Sequence, residues 1–524
     1  MPHTTVTYRR ILSIAFLTCF AGAASLTAQE KPQEILGSTL GGLKRDIKKI
    51  TLPNGLRILM VQRPFSPTVA AYIKYKAGGA DETDESAGIA HMLEHMLFKG
   101  TPTVGTLDYE RERKYIEQSN AWAARLDAAR RKLERLQKSK ADPGSIGATE
   151  QEIKLYRKRL FSLQQASRKY IIADEDSAIY ALSGERGYNA YTTKDLTNYQ
   201  IELPANRLEV WARLESDRMQ NSVLRDFYVE REVVREERRL RVDNVAQGFL
   251  LESFINKIYE SHPYGRSLIG SMEVIQYLSY EQAKQFYDTY YAPNNTVITL
   301  VGDIDFVKTE ALMKKYFSDL KPKTLPARLD IERDSLPIDI EVKKDGSPVM
   351  FLAWLKPSGI GRESLDLELF SSILAGRSDS RLFRRLVLKD RVAAEVGAFT
   401  GYPGERYTNL FTIQAVPAPG KTYDDIQKSL QDELKLILDK GITQDELDRV
   451  RNSQIADFLY GLRSNAEYAD SLSYYELLFD DYGALFQKIA DLQSITPAEI
   501  QATARKYITP DRMSSARLVP EKQK

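Results

Sequence analysis

Cysteine is almost absent from this 524-residue chain, because Cys19 is the only one and it lies near the N-terminus. A single thiol excludes an intramolecular disulfide framework, and its position excludes a cysteine nucleophile from the rest of the chain. An excess of charge of one sign is also lacking, since 74 basic and 72 acidic residues leave a net charge of only +2. That balance argues against the basic footprint of a nucleic-acid-binding protein.

Long apolar runs are lacking too, apart from one short run near the start. Arg9 and Arg10 precede the apolar stretch 11–20, and small residues follow it up to Ala28. This order is typical of a secretory signal peptide, whereas a retained membrane anchor needs a longer apolar run. We therefore predict a signal peptide over residues 1–28, no membrane span after it, and a periplasmic or secreted protein without a thiol.

Histidine is scarce as well, with only four in the chain: His3, His91, His95 and His262. His91 and His95 lie four residues apart, so on a helix their rings share one face, one turn apart. Two imidazoles in that arrangement can bind one zinc ion. The alternative is a chance match or a purely structural pair, because a short motif is only a hypothesis. The scarcity of histidine elsewhere favours the metal site.

The stretch 86–100 predicts the short helix that carries this pair. Ser86 is suited to its N-cap and Gly100 to its stop. Glu94 directly precedes the second histidine, so its carboxylate can reach a zinc-bound water without being a ligand itself. The pattern H-x-x-E-H is the inverted form of the commoner zinc-peptidase signature. Glu94 is therefore the candidate catalytic base.

Apolar patterns and turn residues divide the chain into two halves. A hydrophobic content of 43% and a charged content of 28% are typical of globular domains. In the first half we expect strands within 48–60, 68–76, 187–203 and 296–302, and helices over 205–219, 223–240 and 280–290. Residues 322–338 contain three prolines and predict the linker. In the second half, which has no histidine, we expect a strand at 349–354 and helices at 365–375, 380–388, 424–463 and 496–507.

Residues 107–175 interrupt the first half with a different pattern. Apolar and small residues recur at spacings of four and three on both sides of the strong break Asp142-Pro143-Gly144. We expect two antiparallel helices packed along this seam, a coiled-coil hairpin. Two roles stay open for it. It is either a contact arm for a partner or substrate, or an insertion with a solvated outer face.

The predicted helix at 223–240 is rich in charge. Glu230 and Glu237 are seven residues apart and share one helix face, whereas Glu236 points about 100° away from that face. Taken alone, such a helix is usually only a solvated surface element, so its own pattern assigns it no function.

Seven stretches together resemble the insulinase/pitrilysin family of zinc metallopeptidases, in its mitochondrial processing peptidase-like bacterial branch. They occur in the family's order and span roughly residues 46–520, apart from the hairpin: Asn54-Gly-Leu-Arg57, Gly88-Ile-Ala-His-Met-Leu-Glu-His-Met-Leu-Phe-Lys-Gly-Thr101, Asn189-Ala-Tyr-Thr192, Glu230-Arg-Glu-Val-Val-Arg-Glu-Glu237, His262-Pro-Tyr-Gly265, Tyr290-Tyr-Ala-Pro-Asn-Asn295 and Val301-Gly-Asp303.

The resemblance implies the fold. An α+β protein is expected, with two similar halves over residues 46–322 and 338–520 and the hairpin inserted into the first. Each half is expected to be a mostly antiparallel sheet with helices packed on one side. The first half would carry the zinc, and the second half would be non-catalytic.

The resemblance also implies the site. One zinc ion per chain would be bound by His91, His95 and Glu237, since the family uses the second glutamate of a pair seven residues apart. Glu94 maps onto the catalytic base and Glu230 onto a supporting acid. A further set maps onto the edge strand to which a peptide substrate adds as an extra strand: Asn189, Ala190 and Tyr191.

One departure from the family concerns the second half. Active single-chain members hold substrate there with an arginine and a tyrosine, and these positions align with Val387 and Ala394. The resemblance thus implies a zinc endopeptidase acting on peptides or unfolded segments, as the zinc-bearing subunit of a heterodimer whose second family subunit supplies the missing pair. The alternative from another class is a non-catalytic structural or assembly subunit of the same fold.

Overall fold

A computed structural model describes residues 46–328 and 337–521, together with Gly42 and Lys44. The predicted signal peptide lies outside the described residues. None of the described helices combines the length and the apolar character that crossing a bilayer requires.

Eleven strands form two sheets in the described part of the chain. The first sheet contains β1 (Ile47–Thr51), β2 (Arg57–Gln62), β3 (Thr68–Tyr75), β4 (Arg186–Thr192), β5 (Thr197–Pro204) and β6 (Thr296–Gly302). The second contains β7 (Asp339–Lys343), β8 (Met350–Lys356), β9 (Ala393–Tyr402), β10 (Asn409–Pro417) and β11 (Ser514–Val519).

Sixteen α-helices accompany the described strands. Those of the first half are α1 (Ile89–Leu97), α2 (Tyr109–Lys138), α3 (Pro143–Ser167), α4 (Glu175–Leu182), α5 (Leu208–Asn221), α6 (Phe227–Arg238), α7 (Ala246–Ile258), α8 (Met272–Ile275), α9 (Tyr280–Tyr290) and α10 (Phe306–Phe317). Those of the second are α11 (Arg362–Ala375), α12 (Tyr423–Lys440), α13 (Gln444–Gly461), α14 (Asn465–Phe479), α15 (Ala484–Ser494) and α16 (Pro497–Tyr507).

Both sheets are mostly antiparallel, as predicted. The first has the strand order β1-β2-β6-β3-β5-β4, and only the β2–β6 pair is parallel. The second has the order β7-β11-β8-β10-β9, and only the β7–β11 pair is parallel. Every residue of the central strand β6 is buried, whereas β4 lies at the sheet edge with a largely accessible face. The expected fold class is confirmed.

Each half packs one of its helices against the sheet of the other half. Apolar side chains of α14, in the second half, belong to the same core as Val61, Ala70 and Val301 of the first sheet. In return, α7 of the first half buries Leu250 and Phe254 against β8 and β11 of the second sheet. The helices of a half cover one face of its sheet, and the exchanged helix covers part of the other face.

The inserted hairpin is present as α2 and α3. Asp142 accepts a hydrogen bond from the backbone N–H of Ser145, so the predicted break becomes the N-cap of α3. The seam is apolar, and Leu126 and Ala129 of α2 share the core of the first half with Leu160 of α3. The hairpin therefore packs against the first half through its own apolar face.

Candidate metal centre

The helix of the histidine pair starts later than the sequence predicts. Its N-cap is Gly88 rather than Ser86, which lies in a preceding 3-10 turn. Gly88 has a φ of +95°, and a Cβ there would lie 2.2 Å from the carbonyl oxygen of Ile269, so only glycine fits. The carboxylate of Glu82 accepts the backbone N–H groups of Gly88 and Ala90 at 2.9 and 2.8 Å, and so satisfies free donors of α1.

Three predicted ligands converge between α1 and α6. The Nε2 atoms of His91 and His95 lie 3.7 and 3.5 Å from the same oxygen, Oε2 of Glu237. Their ligand atoms all lie within 4.8 Å of one another. The described residues contain no second group of three histidine, cysteine or acidic side chains with this arrangement.

The three side chains fit a zinc ion. Ligands at about 2.0–2.1 Å from a tetrahedral zinc ion are separated from one another by about 3.4 Å. The two measured nitrogen–oxygen separations are close to that edge length. Two imidazoles and one carboxylate also leave the fourth tetrahedral position free of protein, which is the donor set of catalytic rather than structural zinc sites.

A second carboxylate fixes the orientation of His95. Oε1 of Glu230 lies 2.9 Å from Nδ1 of His95, and Oε2 of Glu230 pairs with Nζ of Lys99 at 2.8 Å. A hydrogen-bonded Nδ1 leaves Nε2 of His95 to face the metal position. In contrast, Nδ1 of His91 is buried without a hydrogen-bond partner among the described residues.

The pKa shifts follow from burial and from these contacts. Burial, aided by the nearby charges of His95 and Arg241, lowers the pKa of His91 to about 3, which keeps its imidazole neutral. Burial also acts to lower the pKa of His95, but the hydrogen bond and charge of Glu230 outweigh it and raise this pKa. Burial opposes ionisation of Glu230, yet the bonds from His95 and Lys99 lower its pKa to about 2.

The candidate base lies at the end of the edge strand. Oγ1 of Thr192, the last residue of β4, donates a hydrogen bond of 2.6 Å to Oε2 of Glu94. Burial raises the pKa of Glu94, and the bond from Thr192 acts in the opposite direction. The carboxylate of the candidate base is thus hydrogen-bonded to the strand predicted to bind substrate.

Comparison with known proteins shows which family this chain is similar to. The family model of Insulinase (Peptidase family M16) matches residues 57–130, which include the histidine helix, and the model of the Peptidase M16 inactive domain matches residues 277–454. The chain is 27% identical to the zinc protease PqqE of Helicobacter pylori over 469 residues, covering 87% of this chain and 86% of that protein. Both models and this relative support an assignment to the insulinase family.

Other relatives agree with this insulinase-family assignment. A zinc protease of Streptomyces coelicolor is 23% identical, over 88% of this chain and 86% of its own. A solved protease structure from Helicobacter pylori superposes with a TM-score of 0.74 at 26% identity, covering 90% of this chain and 99% of that one. The periplasmic protease PqqL of Escherichia coli has a TM-score of 0.65 at 18% identity, over 90% of this chain and 47% of that one.

The predicted substrate strand is the edge strand β4. Asn189 and Ala190 lie on it, and Tyr191 points towards the second half. Its hydroxyl accepts a hydrogen bond from Nζ of Lys74 at 2.7 Å and donates one to Asp470 of α14 at 2.9 Å. The exchanged helix α14 therefore holds this edge strand through Tyr191.

Val387 and Ala394, at the positions of the expected arginine and tyrosine, belong to different elements. Val387 lies half-buried in a π-helical turn, Phe383–Lys389, and Ala394 is exposed on β9, at the edge of the second sheet. Neither side chain can donate a hydrogen bond.

Three polar residues at the site were missed from the sequence. Thr192 bonds to Glu94, Lys99 pairs with Glu230, and Nη1 of Arg241 pairs with Oε1 of Glu237 at 2.9 Å. Arg241 lies four residues after Glu237, so helical spacing indicates this contact in hindsight. Nothing local indicates that Lys99 reaches Glu230, or that Thr192 reaches Glu94 across 98 positions.

Proposed function

We propose that this chain is a zinc-dependent endopeptidase that hydrolyses peptides or unfolded protein segments in the periplasm or outside the cell. One zinc ion per chain is bound by His91, His95 and Glu237. The observation that carries the proposal is the convergence of these three side chains beside Glu94, at the end of an open edge strand. The relatives named as zinc proteases support the same activity.

The side chains divide the reaction between them. A bound zinc ion supplies a Lewis acid that polarises the scissile carbonyl and lowers the pKa of water. Glu94 takes the proton of the attacking water and passes it to the nitrogen of the leaving amine. Glu230 keeps His95 in the tautomer that presents Nε2, and Arg241 holds the second oxygen of Glu237.

The substrate binds by strand addition to β4. The outer edge of β4 has no partner strand in the described part of the chain, so its backbone N–H and C=O groups can pair with an extended peptide. Because Thr192 joins the end of this strand to Glu94, a peptide paired with Asn189 and Ala190 is delivered in register with the base.

A second subunit completes the site in this proposal. Val387 and Ala394 cannot hold a peptide carbonyl or stabilise an oxyanion, and loss of one such donor costs roughly a hundredfold or more in rate. We infer that a second family member, which carries the arginine and the tyrosine, associates with this chain around a shared cavity.

Metal analysis and peptide-cleavage assays of three glutamate variants test the site. Glu237→Gln should lose most of its zinc, because it removes a ligand. Glu236→Gln is its matched control, since within the described residues this exposed side chain pairs with Arg239, at 2.8 Å, and with no histidine. Glu94→Gln should keep zinc and lose about two to four orders of magnitude in hydrolysis. Equal zinc occupancy in Glu237→Gln and Glu236→Gln contradicts the ligand assignment.

Addition of the second subunit tests the partnership. The purified chain alone should bind zinc yet cleave an unfolded peptide poorly, and the added family member should raise turnover at least a hundredfold. Full turnover by a monomer or homodimer contradicts the need for a partner. Zinc binding without hydrolysis in both preparations supports the non-catalytic assembly subunit instead.

A further inference from the structure

The hairpin lies along the first half instead of projecting from it. Polar contacts join α2 to the body near its start, in its middle and near its end: Glu112 with Arg225, Asp127 with Arg231, and Glu134 with Tyr277. At 1.5 Å per residue, the first and last of these contacts are separated by about 33 Å along the helix. A contact arm extended towards a partner would leave most of that length free.

The first contact joins α2 to both ligand helices. The guanidinium of Arg225, which precedes α6, is buried and donates to Glu112 at 2.8 Å. It also donates to backbone carbonyls of the loop that follows α1, including those of Thr101 at 2.8 Å and Val104 at 3.1 Å. A Cβ at Gly105 of this loop would lie only 2.6 Å from Nη1 of Arg225, so the loop fits closely around the guanidinium.

The second contact holds the middle of α6. Arg231 is buried and forms two hydrogen bonds with Asp127, from Nη1 at 2.7 Å and from Nη2 at 3.1 Å. Its Nη1 also donates to the carbonyl oxygen of Leu278, just before α9. Arg231 directly follows Glu230 and precedes Glu237 by six residues, so this fork fixes the segment that presents both glutamates.

The backbone at the start of α6 is strained, so surrounding contacts must hold it in this conformation. Leu224 and Asp226 have φ values of +53° and +58°, a region that side chains other than glycine rarely adopt. Backbone in this region persists only where surrounding contacts determine it, and Arg225 between the two residues provides those contacts through Glu112.

We propose that the inserted hairpin is a positioning element of the metal centre, in which Glu112 and Asp127 hold the glutamate helix in register with the histidine helix. Neither residue touches the metal position. They act through Arg225 and Arg231, so they are positioning residues rather than ligands. The proposal rests on the proposed zinc site and assigns the hairpin a role within it.

Zinc affinity of the full-length chain tests this role. Asp127→Asn should weaken zinc binding about tenfold, measured by competition with a chromophoric chelator. Without the Asp127–Arg231 ion pair, α6 is held less firmly, so part of the binding free energy of zinc is used to order it. Replacing partners that directly contact a ligand costs 10- to 100-fold in metal affinity, and Asp127 acts one contact further out. Arg231→Lys, which keeps the charge but loses the two-pronged geometry, should weaken binding in the same direction.

A matched control separates positioning from general stability of the hairpin. Glu152 of α3 pairs with Lys132 of α2 at 3.4 Å and makes no polar contact with α6, so Glu152→Gln should keep the wild-type zinc affinity. Folding of each variant is checked by near-ultraviolet circular dichroism. If Asp127→Asn folds and binds zinc with wild-type affinity, the proposal is overturned. If Asp127→Asn does not fold, wild-type zinc affinity in folded Arg231→Lys overturns the proposal. Absence of zinc from the wild-type chain overturns the proposed metal site instead.

Discussion

At the scale of single residues, neighbouring glutamates on α6 have different environments. The side chain of Glu237 is 15% exposed and faces both histidines, whereas that of Glu236 is 56% exposed and faces Arg239. A rotation of about 100° per residue is enough to produce this difference. Family resemblance selected Glu237 in the sequence, and the structure brings that residue, not Glu236, to the two imidazoles.

Thr192 offers a test of how the base is oriented. The isosteric change Thr192→Val removes the hydroxyl that donates to Glu94 but keeps the β-branched shape suited to a strand. We expect kcat for peptide cleavage to fall roughly tenfold, since a hydrogen bond to a charged group contributes about 1.5–3 kcal/mol.

Zinc content of Thr192→Val should equal that of the wild type, because Thr192 contacts no predicted ligand. The matched control is Thr193→Val at the next position, whose hydroxyl bonds to the turn at Leu196 and not to the base. An unchanged kcat in Thr192→Val shows that Glu94 is held by other contacts.

Local patterns in the sequence predicted part of the site. The spacing of His91 and His95, and that of Glu230 and Glu237, indicate which side chains share a helix face. The meeting of the two helices depends on tertiary packing, so it came only from the family resemblance. Contacts such as Glu94 with Thr192 join distant segments and leave no trace in either segment alone.

At the scale of elements, strongly periodic segments were predicted best. The helix at 280–290 and the strand at 296–302 are confirmed with the same bounds. The expected helix at 380–388 is helical from residue 381 to 389, but it becomes a π-helix at Phe383. Strands β7, β9, β10 and β11 and helices α14 and α15 were not predicted, because much of their apolar surface is buried by long-range packing that a local period does not encode.

The start of α13 provides a pH test. Glu446 closes a capping box with Thr443 and pairs with Arg381 at 2.7 Å. Burial acts to raise its pKa, but these hydrogen bonds outweigh it and lower the pKa to about 2. A carboxylate whose pKa is depressed in the folded state stabilises the fold above its usual pKa near 4.5, and that stabilisation is lost as the pH falls towards 2.

Urea unfolding at several pH values measures this effect. Glu446→Gln should be less stable than the wild type at pH 7, and the difference should shrink as the pH falls from 4.5 towards 2. Asp379→Asn is the control, since its exposed side chain makes only long ion pairs of 3.7 Å and should change stability by less than about 0.5 kcal/mol. A difference between Glu446→Gln and the wild type that does not vary with pH contradicts the role of the ion pair.

At the scale of the whole molecule, the exchange of α7 and α14 makes the halves interdependent. Without α14, residues 46–322 expose apolar side chains of the first sheet such as Val61, Ala70 and Val301. Without α7, residues 338–520 expose part of the apolar surface of β8 and β11. Patches of this kind promote aggregation.

Separate expression of the halves tests this dependence. Residues 46–322 and residues 338–520 should each be insoluble or unfold without cooperativity, and co-expression should restore a soluble complex. As a control, the intact protein with a protease site inserted at 329–336 should stay associated after cleavage, because the exchanged helices hold the pieces together. Cooperative unfolding of an isolated half contradicts the dependence.

The exchanged helix also determines when the protein can finish folding. Domains usually fold in order from the N-terminus while the ribosome is still adding residues. Here α14, which begins at Asn465, covers part of one face of the first sheet, so synthesis must pass residue 465 before that face is covered. The packing of α14 onto the first sheet is therefore a late event in the synthesis of the chain. A polypeptide that completes its fold this late stays unfolded long enough to pass through a membrane, which is the condition that the predicted signal peptide requires.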